Sequence, residues 1–457
     1  MLSQFEWIVA IGGIFAFFAS FGIGANDVAN AFATSVGSGA LKIKHAIPLA
    51  AVCEFSGALF MGNHVVKTIH KGISDQACFV DDPGLLMYGC MCVIISVAAW
   101  LILASRLEMP VSTTHSCVGG MIGMTMVARG SKCVTWIAKS DEFPYVKGVV
   151  AIIVSWFLSP VISGAFAAAL FFILRTFILR STESYRRIQY AFPVIVACTF
   201  IINTFFIVYK GATFMKLDTL PLWKACAISF GIGGGSGILS YLFVNPIIFK
   251  RGTELNHFVE SDDASVRSIH DNAEVFDSKT EYSMRYLQIL TACCDSFAHG
   301  ANDVANSIGP FAALYTIYKL GEVKKNADMG NDAYWILSLG AAGIVAGLAL
   351  YGYKILYALG TKIAKLTPSR GICIELGAAA VIILGSRFGW PLSTTHCQVG
   401  ATVGVALFEG IGGVNWKLLW KTVLGWLLTL VVVGGSTALL FAQGAYAPMV
   451  KYPSYVH

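Results

Sequence analysis

Apolar runs dominate the chain, at residues 5–23, 86–104, 148–174, 190–209, 222–249, 333–353, 372–385 and 417–442. Most reach the ~17–25 residues that an α-helix needs to cross a bilayer core. Backbone groups in lipid must be satisfied within their own segment, so the runs predict an all-α polytopic membrane protein. The pattern is not the alternating ~10-residue strands of a membrane β-barrel. The first run has no basic leader and passes straight into a polar motif, so it is expected as a retained first helix and not a removed signal peptide.

The polar interruptions carry more information than the runs. Gly-Ala-Asn-Asp-Val-Ala-Asn occurs at 24–30 and again at 300–306, and Ser-Thr-Thr-His at 112–115 and 393–396. From Asp27 to Ser112 is 85 positions, and from Asp303 to Ser393 is 90. Two motifs in the same order at nearly the same separation predict an internal duplication. In a membrane protein, paired interruptions of this kind point to a transport site between inverted repeats.

The expected organisation is a first transmembrane repeat over 1–249, a hydrophilic central loop over 250–284 rich in Asp, Glu, Lys and Arg, and a second repeat over 285–457. The longer first half predicts extra helices within 188–249. Each Ser-Thr-Thr string follows a proline (Pro110, Pro391) and precedes a glycine-rich apolar tract, Val118–Met126 or Val399–Leu407. A segment too short for two spans and too polar at its tip for lipid predicts two re-entrant helical hairpins. The count comes to about ten to twelve spans. Inversion needs an odd number of crossings per half; the first half counts even, which points to two spans merged within 145–179.

Composition agrees with a membrane class. Of 457 residues, 56% are hydrophobic and 13% charged, with mean hydropathy +0.68, against roughly a quarter charged in soluble proteins. The net charge of +6 belongs to basic loops and gives no reason to expect nucleic acid. Basic clusters at Lys42/Lys44, Arg175–Arg187, Lys250–Arg285, Lys319–Lys325 and Lys354–Arg370 do not fall on one side under simple alternation; Lys250 and Arg251 favour a cytoplasmic central loop. The twelve cysteines show no metal-type spacing and are expected as small buried hydrophobes.

Asn26, Asp27 and Asn30, with Asn302, Asp303 and Asn306, place carboxylate and amide oxygens at membrane depth with no Lys or Arg inside either motif. Small neighbours let the helix unwind and present carbonyls. Such oxygens suit a hard cation such as Na⁺, with Asp27 and Asp303 the expected metal ligands. A proton is the competing ion. Ser112, Thr113 and Thr114, and Ser393, Thr394 and Thr395, stand where a new helix starts. Capping hydroxyls, free N–H groups and the positive end of the helix dipole together favour an oxyanion. The aspartates would repel that anion unless cations lie between them, so anion and cation affinities are reciprocally linked.

Residues 24–34 (GANDVANAFAT), 110–116 (PVSTTHS), 297–310 (FAHGANDVANSIGP) and 391–397 (PLSTTHC) resemble the repeated signatures of the inorganic phosphate transporter family, and SWFLSPVISG at 155–164 is also similar. The resemblance covers both halves. It implies inverted repeats, two re-entrant hairpins and an elevator-like import of inorganic phosphate with cations, usually Na⁺. It also implies Glu54 and Glu375 as transport-essential glutamates, although Glu54 lies 27 residues after Asp27 and Glu375 lies 72 after Asp303. Aligning Gly57 and Gly62 with Gly347 and Gly352 puts Ile344 opposite Glu54. His115 and His396 are candidates for proton relay or for selecting phosphate's protonation state; His299 is open between structure and function.

The expected function is a Na⁺-driven phosphate symporter, with H⁺ coupling as the rival and sulfate as a more distant alternative substrate. No nucleophile–base pair points to an enzyme, and a passive channel would not need paired carboxylates and two anion tips. No cofactor is expected beyond the co-transported ion. The partners expected are phosphate, Na⁺ or H⁺, the lipid bilayer and a second copy in a homodimer, with the plasma membrane as location.

Overall fold

The computed structural model describes residues 2–27, 29–139, 145–209, 220–250, 264–324, 329–353, 355–356, 362–388, 390 and 392–446. Nine of its helical stretches are long and apolar enough to cross a membrane. Hydrogen bonds at the helix ends sort these segments between two opposite faces.

Helix α1 (Glu6–Asn26) ends at Asp27 and α2 (Ala29–Gly37) carries the chain on to the far face, where Ser38 bonds Gln288 at 2.6 Å. Helix α3 (Ile43–Gly72) returns. Helices α4 (Pro83–Arg106) and α5 (Thr113–Arg129) form a hairpin with both ends on the first face: Gly84 lies against Phe5, and Thr135 N–H bonds the Ile73 carbonyl at 2.9 Å. Helix α6 (Val149–Leu174) crosses, α7 (Ser184–Val208) returns, and α8 (Leu222–Leu239) continues through a π turn into α9 (Asn245–Lys250) on the far face. After the short α10 (Ala264–Asp271), α11 (Ser278–Leu320) runs back over 43 residues. Helix α12 (Ala333–Tyr351) crosses again. A second hairpin, α13 (Pro368–Arg387) and α14 (Thr394–Ala406), hangs from the far face, and α15 (Trp416–Tyr446) ends the described chain on the first face.

Local chemistry explains these boundaries. Both hairpins start with a capped proline: Asp82 accepts from Leu85 N–H ahead of Pro83, and Thr367 from Arg370 N–H ahead of Pro368. The second legs are capped by Ser112 and Ser393, each accepting from the histidine N–H three residues on at 3.3 Å. Gly321, at φ +81°, ends α11 in the left-handed conformation that residues with a side chain resist.

The hairpins enter from opposite faces and their tips meet, with Ser112 Oγ 3.0 Å from Ser393 Oγ. The repeats are therefore inverted, as expected, but the parity error has a different source from the one expected. The stretch 145–179 holds a single span, α6. The apolar run 86–104 does not cross; it is the first leg of a hairpin that returns to its own face. The first half then crosses five times, and α7 and α8 have no counterpart in the second. The described chain crosses eight times in all, and counting each hairpin leg gives twelve embedded segments. Helix α11 already starts at Ser278, inside the stretch read as loop.

The hairpin returns also resolve the charge pattern. Lys42, Lys44, Arg175, Arg180, Arg186, Arg187, Lys250, Lys365 and Arg370 all lie on the face of Ser38 and Glu274, while Lys319 and Lys324 lie on the other, with Arg129, Lys132, Lys139 and Lys147. That other face holds a disulfide, Cys78–Cys133, which joins the two ends of the first hairpin. The expectation that all cysteines are small hydrophobes is corrected for this pair. Both stand in charged connecting segments, Cys78 between Asp75 and Asp81 and Cys133 beside Lys132, which was the available signal.

The repeats are clamped at two glycines. A Cβ on Gly24 would sit 1.8 Å from the Ile344 carbonyl oxygen, and one on Gly300 would sit 2.3 Å from that of Glu54. Only glycine lets α1 and α12, or α3 and α11, approach so closely. The pairing also shows that Ile344 does stand opposite Glu54.

Candidate functional site

The twin motifs meet the hairpin tips at the centre of the molecule. Asp27, Asp303, Asn26, Asn302, Asn306 and all six Ser-Thr-Thr residues are 2% exposed or less. Thr395 Oγ1 donates to Asp27 Oδ1 at 2.6 Å, and Thr394 Oγ1 to Asp303 Oδ2 at 2.7 Å. Thr113 Oγ1 lies 3.0 Å from Asp27 Oδ2 and 3.3 Å from Asp303 Oδ2, bridging the two carboxylates. Asn306 Nδ2 reaches Thr113 and Thr114 at 3.1 and 3.3 Å. Thr114 in turn donates to the Leu392 carbonyl of the opposite hairpin at 2.8 Å.

The first asparagine of each motif holds a hairpin turn. Asn26 donates to the Met109 carbonyl at 2.9 Å and accepts from Val111 N–H at 3.0 Å. Asn302, with its amide oriented to satisfy its neighbours, donates to the Leu392 carbonyl and Asp303 Oδ1, each at 3.0 Å, and accepts from Ser386 at 3.2 Å. Each motif thus grips the hairpin of its own repeat. The side chain of Asn30 lies outside those described. One expectation needs correcting: α11 passes through the second copy of the motif without unwinding, while at the first copy α1 ends at Asn26 and α2 starts at Ala29.

Histidine 299 joins the carboxylates into a chain. Its Nε2 lies 3.0 Å from Asp303 Oδ2 and its Nδ1 lies 2.9 Å from Glu54 Oε2, while Ser296 donates to Glu54 Oε1 at 2.9 Å. Ligand atoms of Asp27, His299 and Asp303 lie within 4.8 Å of one another, close enough to share one cation. Glu375 stands apart, nearer the basic face. It accepts from Thr34 at 2.5 Å, from Ser35 at 2.9 Å and from Gln288 at 3.3 Å, as well as from Thr291. The two glutamates therefore serve different neighbourhoods, in keeping with their unequal positions in the duplication.

His115 and His396 are wedged among aromatic rings. His115 stacks on Trp156 and His396 lies tilted against Trp426, each with centroids 3.7 Å apart, and the two imidazoles lie 4.8 Å from each other. His396 Nδ1 is 2.9 Å from the Trp156 carbonyl, which can only accept, so that nitrogen carries the proton. Sequence reasoning missed the hydroxyl and amide partners of the glutamates (Thr34, Ser35, Gln288, Thr291, Ser296). The polar positions 288, 291, 295, 299, 303 and 306 recur at helical spacing and were the signal for Gln288 and Thr291.

Chemically, the centre offers two carboxylates for cations beside two helix N-termini and their hydroxyls for an anion. Comparison with known proteins agrees. The sequence pattern of the phosphate transporter family matches residues 23–437. A putative phosphate permease of Pyrococcus abyssi is 33% identical over 92% of this chain and 93% of its own length. The phosphate-repressible phosphate permease of Neurospora crassa is 29% identical over 99% of this chain and 100% of its own. A solved structure described as the sodium-dependent phosphate transporter superposes with a TM-score of 0.79 at 33% identity, covering 97% of this chain and 100% of that one. The match takes in both repeats, both hairpins and every residue of the central site, and the chain belongs to the phosphate transporter family.

Proposed function

We propose that the protein imports inorganic phosphate by Na⁺ symport, with the central site exposed alternately to the two faces. The observation that carries this reading is the pair of buried carboxylates, Asp27 and Asp303, bridged by the Thr113 hydroxyl of a hairpin tip. Two facing carboxylates at membrane depth need a counter-cation. An anion at the adjoining hydroxyls and helix N-termini needs the same cation again. Occupancy of one half of the site thus raises affinity in the other. The inverted hairpins, each anchored to its own face, supply the two gates that alternating access requires. The solved relative described as sodium-dependent favours Na⁺.

A proton is the second reading, favoured by His299 between Glu54 and Asp303. We place the basic face in the cytosol of the cell membrane and the Cys78–Cys133 face outside. Positive charge favours the former, and disulfides persist in oxidising compartments. Radiolabelled phosphate uptake into proteoliposomes under an imposed Na⁺ or H⁺ gradient tests the coupling. Na⁺-driven uptake is expected; uptake driven by H⁺ alone replaces the ion, and uptake indifferent to both gradients removes the symport reading.

A further inference from the structure

One buried carboxylate of α11 has no part in the site described above. Helix α11 carries a polar stripe made of Asn306, Asp303, His299, Asp295, Thr291 and Gln288, spaced three or four residues apart and so on one face. Each is 2% exposed or less, so the stripe runs inside the protein from the central site toward the basic face. At 1.5 Å per residue, Asp295 lies ~12 Å along the helix from Asp303. That is still within the ~15 Å half-thickness of the hydrocarbon core.

The other carboxylates along this line are held by donors. Asp303 has Thr394 and Thr113, Glu54 has Ser296 and His299, and Glu375 has Thr34, Ser35, Gln288 and Thr291. Asp295 differs: its Oδ1 is buried with no hydrogen-bond partner among the described residues. It lies within electrostatic reach of Glu54 and His299 on one side and of Glu375 on the other. Two of those three neighbours are acidic, and His299 is already engaged by Glu54 and Asp303. A carboxylate in such surroundings is stable only when neutralised.

We propose that Asp295 is a cation stop between the central site and the basic face, holding a monovalent cation (Na⁺ or H⁺) as it leaves Asp27 and Asp303. The position, two helical turns below the site and one turn above Thr291 and Glu375, divides the path into steps of ~12 Å and ~6 Å. The proposal rests on the symport reading above.

The test uses the full chain in proteoliposomes, comparing wild type with Asp295→Asn and Asp295→Ser. Phosphate uptake, sodium uptake and internal acidification are measured together, so that a cation-to-phosphate ratio is obtained for each ion. In the variants the ratio falls by one cation, and the ion whose flux drops identifies the occupant. The half-saturating concentration of that cation rises about tenfold, as for a lost charge-assisted contact, while the phosphate KM at saturating cation stays unchanged. Asp295→Ser keeps a small polar side chain and carries the same reading should the Asn variant not fold. Variants with the wild-type ratio and half-saturation, beside a wild type that remains gradient-driven, overturn this proposal alone. A wild type indifferent to both gradients overturns it together with the symport reading.

Discussion

Asp27→Asn isolates the charge of the cation half of the site. Asparagine keeps the volume of the side chain and an oxygen able to accept from Thr113 or Thr395, now at 3.0 and 2.6 Å. What disappears is one negative charge. Two unit charges ~4 Å apart interact by about 4 kcal/mol at an effective dielectric constant of ~20, which caps the attraction lost. Relief of repulsion from Asp303, across the shared Thr113 hydroxyl, offsets part of this. The net is then that of a charge-assisted contact, ~1.5–3 kcal/mol, or about 10- to 100-fold weaker cation binding. Phosphate uptake into proteoliposomes, titrated with Na⁺ at fixed phosphate, reads it directly. Because one of two facing buried charges is removed, the melting temperature of the purified variant should hold or rise. A folded Asp27→Asn protein with wild-type Na⁺ half-saturation and full Na⁺-driven uptake would refute the reasoning and make the aspartate structural.

Two further outcomes follow from the packing. Removing the Cys78–Cys133 link with Cys78→Ser should cost ~2–4 kcal/mol of stability, seen as a lower melting temperature. In intact cells a membrane-impermeant reductant should produce the same loss, and insensitivity to it would contradict the outward placement of that face. Gly300→Ala puts a methyl group 2.3 Å from the Glu54 carbonyl oxygen and should cost about 3 kcal/mol or more, with loss of the folded peak in size-exclusion chromatography. Gly231→Ala, which meets nothing within 4 Å, is the matched control and should elute as wild type.

By itself the sequence determined the membrane class, the duplication, the two hairpins and the twin motifs that the fold brings together at its centre. Each of these depends on local pattern: runs long enough for lipid, polar motifs where lipid forbids them, and capping residues after a proline. The crossing count eluded it because a hairpin leg such as α4 is as apolar as a true span, and only its partner reveals that the chain turns back. Only the tertiary structure decided which hydroxyl meets which carboxylate. Thr395 reaches Asp27 across 368 positions and Thr34 reaches Glu375 across 341, distances at which no periodicity survives. The same holds for the Cys78–Cys133 pair, for His299 between Glu54 and Asp303, and for Asp295 standing buried without a partner for its Oδ1. Periodicity reports which face of a helix is buried; what that face touches is set by helices packed from the other repeat.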